Sequence, residues 1–345
     1  MPRRIAVATG SLSASVALFV RATSLDCTTL LAEKLPVAIP AVQSYVIWLK
    51  TSRRGIMLIA QVTDIHLGFE PDSPGEFNRQ RLDRVLTELA AMQPRPDLLF
   101  ATGDLIDRGD RESYERLREA FANLPFPVHY ALGNHDVRAT FAEVFPHVPL
   151  DNGFLQYVVE TGPLRIIVLD TLEEGRHGGA FCAARAAWLK ARLDEAPEAR
   201  TLIVQHHPPV EVGIAWMNTD PAEPWVERLA SCLRGRSNVI GIVCGHIHRA
   251  VATAWEGTIV ATCPSTAPQV ALDLRPIDPC VPDQRNLIIA DPPGFGLHWF
   301  NGRELITHWD TAEDHQVLAR YDDNLQGMIQ HMLAERPGSA PDQAA

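Results

Sequence analysis

Five short apolar runs in this chain end on residues of the kinds that bind metal ions. The run 57–63 leads into Asp64 and, two positions on, His66. The run 97–102 leads into Gly103-Asp104, and 128–132 into Gly133-Asn134-His135-Asp136. The run 201–205 leads into His206-His207-Pro208-Pro209, and 239–244 into Gly245-His246-Ile247-His248. Taken singly, each has a plainer reading. Asp64 caps a turn, Gly-Asp and Gly-Asn are turn dipeptides, and a lone histidine is a satisfied structural residue. Five strand ends in one order, each delivering Asp, Asn or His, are hard to explain as turns. Carboxylate oxygen, amide oxygen and neutral imidazole together suit Mn, Fe, Co or Zn. A carboxylate can also bridge two cations roughly 3.5–4 Å apart, the spacing of two-metal hydrolases. No cysteine stands beside these residues, which argues against a structural zinc site.

Such ligands converge only if the runs are strands whose ends lie together. The runs are short and rich in Val, Ile and Leu, as buried strands are. Two more, 164–170 and 258–263, share the character, and Asp170 reads as a structural strand-end residue. Between the first two runs, Leu82, Val85, Leu86 and Leu89 recur at one helix face. Residues 181–196 and 224–235 have the same period. Alternating helices and strands predict an α/β layered domain, in which strand ends are where binding groups meet. Near the C-terminus, 296–300 and 304–309 flank Asn301-Gly302 and read as a hairpin. The predicted divisions are an extension at 1–56, a catalytic core at 57–267, and a hairpin with a cap or tail at 268–345.

In their order, D-x-H, G-D, G-N-H-D, H-H-P-P and G-H-x-H make the chain resemble the calcineurin-like metallophosphoesterases over about residues 57–310. The lead into HHPP and the region after GHIH look most like the branch acting on cyclic nucleotides and glycerophosphodiesters. The resemblance implies an αββα two-sheet sandwich and two divalent metal ions. One metal would be held by Asp64, His66, Asp104 and His248. The other would be held by Asp104, Asn134, His206 and His246, with Asp104 bridging. The choice of His206 over His207 rests on alignment to the strand end. His135 would contact the phosphate and protonate the leaving oxygen, Asp136 would orient His135, and Asn134 and His248 would also face substrate. Water activated between the cations would attack phosphorus, with no covalent intermediate. A small phosphodiester is the expected substrate. Within the family a phosphomonoesterase or a nucleotide-lipid pyrophosphatase is the rival enzyme, and a non-catalytic scaffold the rival class. Loop 210–224, with Trp216 and Met217, and segment 264–272 are candidate walls of the substrate pocket.

Composition sets outer bounds. Apolar residues make up 46% and charged residues 21%, the proportions of a globular domain, and no run of about 20 apolar residues spans a membrane. The net charge of −11 argues against a nucleic-acid polymer as partner. Residues 1–56 carry seven Lys/Arg and two acids, leaving −16 to the rest. Arg3-Arg4 and the apolar stretch after it are a poor signal peptide, broken by Gly10 and without an A-x-A site. Six cysteines without a C-x-x-C pair read as reduced thiols, so the expected compartment is the cytoplasm. Leu297, Trp299, Phe300, Leu305, Ile306 and Trp309 cannot all share one face of a hairpin. A homo-oligomer, dimer or higher, is expected to cover the surplus.

Overall fold

The protein is described by a computed structural model over residues 46–48 and 55–336, apart from Asp72 and Pro74. The signal-like stretch and Cys27 lie outside the described residues. In chain order the first half contains β1 (Val46–Trp48), β2 (Met57–Val62), α1 (Phe77–Ala91), β3 (Leu98–Thr102), α2 (Arg111–Phe121), β4 (Val128–Ala131), α3 (Arg138–Val144), β5 (Tyr157–Glu160) and β6 (Arg165–Val168). The second half contains α4 (Ala183–Asp194), β7 (Thr201–Val204), α5 (Pro224–Leu233), β8 (Val239–Cys244), β9 (Val251–Trp255), β10 (Thr258–Thr262), β11 (Gln269–Val270), β12 (Ile288–Ile289), β13 (Gly294–Phe300), β14 (Leu305–Thr311) and α6 (Asp323–Ala334).

Two sheets face each other. One runs β1-β5-β6-β7-β8-β10-β9 and the other β14-β13-β2-β3-β4, with β11-β12 a separate pair. Strands β2 and β3 are buried at every residue, which is why they read as unbroken apolar runs. Met57, Ile59 and Phe300 from one sheet join Tyr157, Val159, Ile166, Leu202 and Val243 from the other in the main core. On the outer face of the larger sheet, Trp188 and Leu189 of α4 and Trp225 and Leu229 of α5 pack on Ile167, Ile203 and Ile242. Leu82, Val85, Leu86 and Leu89 of α1 close the smaller sheet, so the layers are αββα as expected. Local chemistry agrees with the boundaries: Asp110 caps α2 by accepting from Ser113 N, and Pro224 opens α5.

The predicted hairpin forms and finishes the smaller sheet. Strand β13 pairs antiparallel with both β14 and β2. Its turn is held by Asn301 Oδ1, which accepts from Arg303 N and Glu304 N, with Gly302 at φ +95°. Phe300 is buried in the core, whereas Trp299 and Trp309 are exposed. At the other end of the chain, β1 pairs in parallel with β5, so an edge strand lies inside the stretch read from sequence as an extension. Among the described residues, no helix is long and apolar enough to cross a membrane. Helix α6 has no buried residue.

Candidate metal centre

The loops after β2 and β3 are zipped together. Asp64 N donates to Gly103 O, and Ile65 N and His66 N both donate to Asp104 O. The segment after β8 is tied in by His246 N, which donates to both oxygens of the Asp64 carboxylate at 3.0–3.1 Å. These tight paths have a conformational cost. Asp64, His66, Asp104, His246 and His248 all have positive φ, between 45° and 71°. Side chains other than glycine avoid that region, at a cost of about 1–3 kcal/mol each, and it collects where function demands it. Gly133 leaves the space the site needs, since a Cβ there would meet Asp104 N and, at 2.7 Å, His206 Cε1.

The side chains then form two adjoining donor sets. In one, His66 Nε2 lies 3.2 Å from His248 Nε2, and His248 Nε2 lies 3.4 Å from Asp64 Oδ1. In the other, Asn134 Oδ1 lies 3.3 Å from His206 Nε2 and 3.1 Å from His246 Nδ1. Asp104 Oδ2 stands between them, 3.7 Å from His66 Nε2 and 3.4 Å from His206 Nε2. Asp64, His66, Asp104 and His248 thus have ligand atoms close enough to share one ion.

The surroundings decide which ring nitrogens point inward. His206 Nδ1 is 2.8 Å from Thr102 O, and His248 Nδ1 is 2.9 Å from Pro268 O. A carbonyl can only accept, so each Nδ1 carries the proton and each Nε2 presents a lone pair to the centre. His207 is committed elsewhere: Nδ1 meets Thr171 Oγ1 at 2.9 Å and Nε2 meets His177 O at 3.2 Å. His206, His207 and His246 nonetheless have ligand atoms close enough to share one ion.

Lone pairs aimed at one another in a buried space repel unless a cation or proton lies between them. In the metal-free protein protons take that part. Burial opposes a charged His206, but the Asp104 carboxylate overrides it and holds the ring's pKa up at about 9. Burial raises Asp64 to about 6 against the pull of His206. Burial, reinforced by neighbouring histidines, pushes His246 well below its ordinary value and keeps it neutral, the form that binds metal. The donor set therefore fits two divalent cations.

The structure gives His135 and Asp136, the pair expected from sequence, separate partners. Asp136 makes no hydrogen bond to the His135 side chain. Its Oδ2 accepts from Gly133 N at 2.8 Å and Leu105 N at 3.3 Å, and its Oδ1 accepts from Tyr114 Oη at 2.9 Å. It is buried, and burial with the nearby Asp104 raises it to about 7. Asp136 thus braces the loops after β3 and β4 through those two backbone N–H groups. His135 is oriented by Asp107, whose carbonyl receives its Nδ1 at 2.8 Å. Burial disfavours protonated His135, but Asp104 and that carbonyl win and raise its pKa. The Asp107 carboxylate also lies 3.5 Å from His66 Nδ1.

Two neighbours were not singled out in the sequence. Asp107 follows Asp104 by three residues, so the motif could have flagged it. His177, in the loop before α4, reaches Asn134 Nδ2 at 3.4 Å, and its ring lies 4.7 Å from that of His246, tilted by 45°. Only its Gly-rich setting hinted at function. Met217 packs into a small cluster with Ile214, Ile247 and Val270, with Trp216 against it. Asp170 is structural as read, accepting from Arg138 Nε and Nη2 at 2.8 Å.

Comparison with known proteins gives a consistent picture. Residues 57–250 match the calcineurin-like phosphoesterase family. A probable glycerophosphodiester phosphodiesterase of Arcobacter nitrofigilis is 33% identical over 73% of this chain and 92% of its own. A 3′,5′-cyclic adenosine monophosphate phosphodiesterase of Pseudomonas aeruginosa is 30% identical over 62% of this chain and 78% of its own. Among solved structures, a dimetal phosphatase from Danio rerio has a TM-score of 0.50 at 15% identity, covering 73% of this chain and 98% of that one. That likeness concerns the fold alone.

Proposed function

The chain belongs to the calcineurin-like phosphoesterase family, and from that premise we propose that it is a dinuclear metal-dependent phosphodiesterase acting on small diesters. The observation that carries this reading is the place of Asp104, one carboxylate oxygen between two complete donor sets. Asp64, His66, Asp104 and His248 would hold one divalent ion, and Asp104, Asn134, His206 and His246 the other. The mixed oxygen and imidazole donors suit Fe, Mn, Zn or Co. Bound there, the two ions would lower the pKa of water and neutralise the phosphate oxygens.

The chain's own groups do the rest. Asn134 and His248 orient the phosphate at the mouth of the donor sets. His135, its Nδ1 proton held by Asp107 O, would act as the acid with a second proton on Nε2. As the P–O bond to the leaving group breaks, that proton passes to the departing oxygen. Names of relatives supply two substrate classes, glycerophosphodiesters and 3′,5′-cyclic AMP. The reading extends to a homo-oligomer, supported by exposed Trp299 and Trp309, and to the cytoplasm, supported by free thiols at all five described cysteines.

The test is steady-state hydrolysis by the metal-loaded protein of 3′,5′-cyclic AMP, 2′,3′-cyclic AMP, a glycerophosphodiester and a phosphomonoester. At least one diester should exceed the monoester in kcat/KM by more than about tenfold. A preference for the monoester, or no turnover with two ions bound, overturns the reading.

A further inference from the structure

A cavity of about 420 Å³ opens beside the first donor set, within the roughly 300–1,000 Å³ range of small-molecule pockets. His66, His135 and His248 form its inner end. Its outer walls are Phe69, Phe77 and Ile288, which are 60%, 44% and 52% exposed. Three large apolar side chains left open to water around one cavity mark a surface that a ligand covers.

The walls are held in place. The Phe77 ring is backed by the Arg81 guanidinium, 5.3 Å from its centroid. Arg81 is buried and donates to Thr266 O, Ala267 O and Asp291 O, so the wall rests on a fixed support. Ile288 sits on β12, paired with Val270. The polar groups around the cavity face inward. Asn78 Nδ2 donates to His66 O, and the Glu76 carboxylate takes Gly68 N and Arg116. A polyol placed here finds carboxylate acceptors at Glu70 and Asp107 on the rim, but hydroxyls set against the apolar wall itself have no partner and lose affinity. The carboxylates of Glu70 and Asp107 at the same cavity repel a ligand carrying further negative charge.

Resting on the phosphodiesterase reading above, we propose that this cavity receives the departing alcohol and that Phe69, Phe77 and Ile288 select an uncharged alcohol bearing a flat apolar ring. The direction follows from His135. The group that leaves past this proton donor enters the cavity His135 lines, so the alcohol's shape and polarity are read there. Aromatic walls pair well with such a ring, stacked or edge-on.

The test uses two diesters that share one ethyl group, ethyl 2-phenylethyl phosphate and ethyl glyceryl phosphate, on the metal-loaded full chain. The ring-bearing diester should have the higher kcat/KM by about tenfold or more and release 2-phenylethanol rather than ethanol. In Phe77→Ala and Phe69→Ala the ratio of the two kcat/KM values should fall about tenfold, mainly through KM, and Phe77→Leu should fall between. Both side chains are partly exposed, so metal content and circular dichroism verify that the variants are folded. A second measurement needs no turnover: saturation-transfer NMR with 2-phenylethanol, against glycerol, on wild type and Phe77→Ala. If the probe binds in a Phe77-dependent way but neither diester is cleaved, the phosphodiesterase reading fails and with it the leaving-group role, and the cavity's preference for a ring-bearing alcohol stands. If both diesters are cleaved alike, and the ratio and the probe ignore Phe77, the cavity assignment is overturned and the phosphodiesterase reading stands.

Discussion

His66 Nε2 and His248 Nε2 face each other at 3.2 Å, and the Pro268 carbonyl at His248 Nδ1 fixes the His248 Nε2 as an acceptor. Two imidazole nitrogens at that distance are stable with a cation or a proton between them and repel otherwise. Metal binding is therefore coupled to the stability of the loops that carry five residues at positive φ. Stripping the protein with a strong chelator should lower Tm by several degrees at neutral pH, and adding back Mn or Zn should restore it. A Tm indifferent to chelator and metal would mean that these loops do not depend on the ions.

Asp104→Ala should lose both ions, not one. Its Oδ2 is shared by the two donor sets, and its Oδ1 accepts from His135 N at 2.9 Å. Elemental analysis of purified protein should fall from two ions per chain to below about one half, with turnover at background. Two ions retained in the variant would refute the bridging role.

His135→Ala should keep its ions and lose rate, by about 10²–10⁴-fold as proton donors of this kind do. The loss should shrink with more acidic leaving groups, which need less protonation. Asp136→Asn should behave differently. An amide keeps one accepting oxygen, so it leaves either Tyr114 Oη or both Gly133 N and Leu105 N, which share Oδ2, without their acceptor, and should cost about 1–3 kcal/mol of stability along with metal affinity. A leaving-group-independent loss in His135→Ala would remove the proton-donor role and leave phosphate positioning.

The proposed ligand set is readable in the sequence because each candidate residue ends an apolar run, so order and chemistry appear together. The two-layer fold is readable for the same reason: β2 and β3 are apolar throughout, and α1 repeats Leu and Val at helical spacing. Residues delivered by loops carry no such signature. Asp107 acts largely through its main-chain carbonyl, which any residue owns. His177 arrives from a loop distant in sequence from Asn134, and Phe69 and Phe77 have meaning only beside the metal ligands. Strand β1 is missed because three residues give no period, and its partner β5 lies more than a hundred positions on.

His129 should make the protein acid-sensitive. It is buried between the Phe100 and Tyr157 rings, and burial lowers its pKa from 6.5 to about 4. Above pH 6.5 the ring is neutral in both folded and unfolded chains, and its contribution is whole. Between 6.5 and about 4 only the unfolded chain takes up the proton, so stability falls as pH drops through that window. At pH 5 the loss relative to pH 8 is about 2 kcal/mol. His129→Phe should flatten that part of the stability profile in urea titrations at pH 8 and pH 5. An unchanged pH dependence would show that this ring does not carry it.

Two shortened chains separate what residues 43–56 do for stability from what they do for the site. A chain that starts at Gln43 keeps β1, and one that starts at Met57 loses it. Strand β1 pairs with β5 over three residues, and Ile47 packs against the main core. Its removal bares the backbone edge of β5 and uncovers apolar surface, so Tm should be lower in the Met57 form. The ligands come from the ends of β2, β3, β4, β7 and β8, and β5 and β6 stand between β1 and β7. That sheet order sets β1 apart from the ligand-bearing strands, so the two chains should bind two ions each and agree in kcat/KM within about twofold. Equal Tm values would show that β1 adds nothing to the sheet. A fall in kcat/KM of more than about tenfold with both ions bound would show that the edge strand reaches the site through β5 and β6.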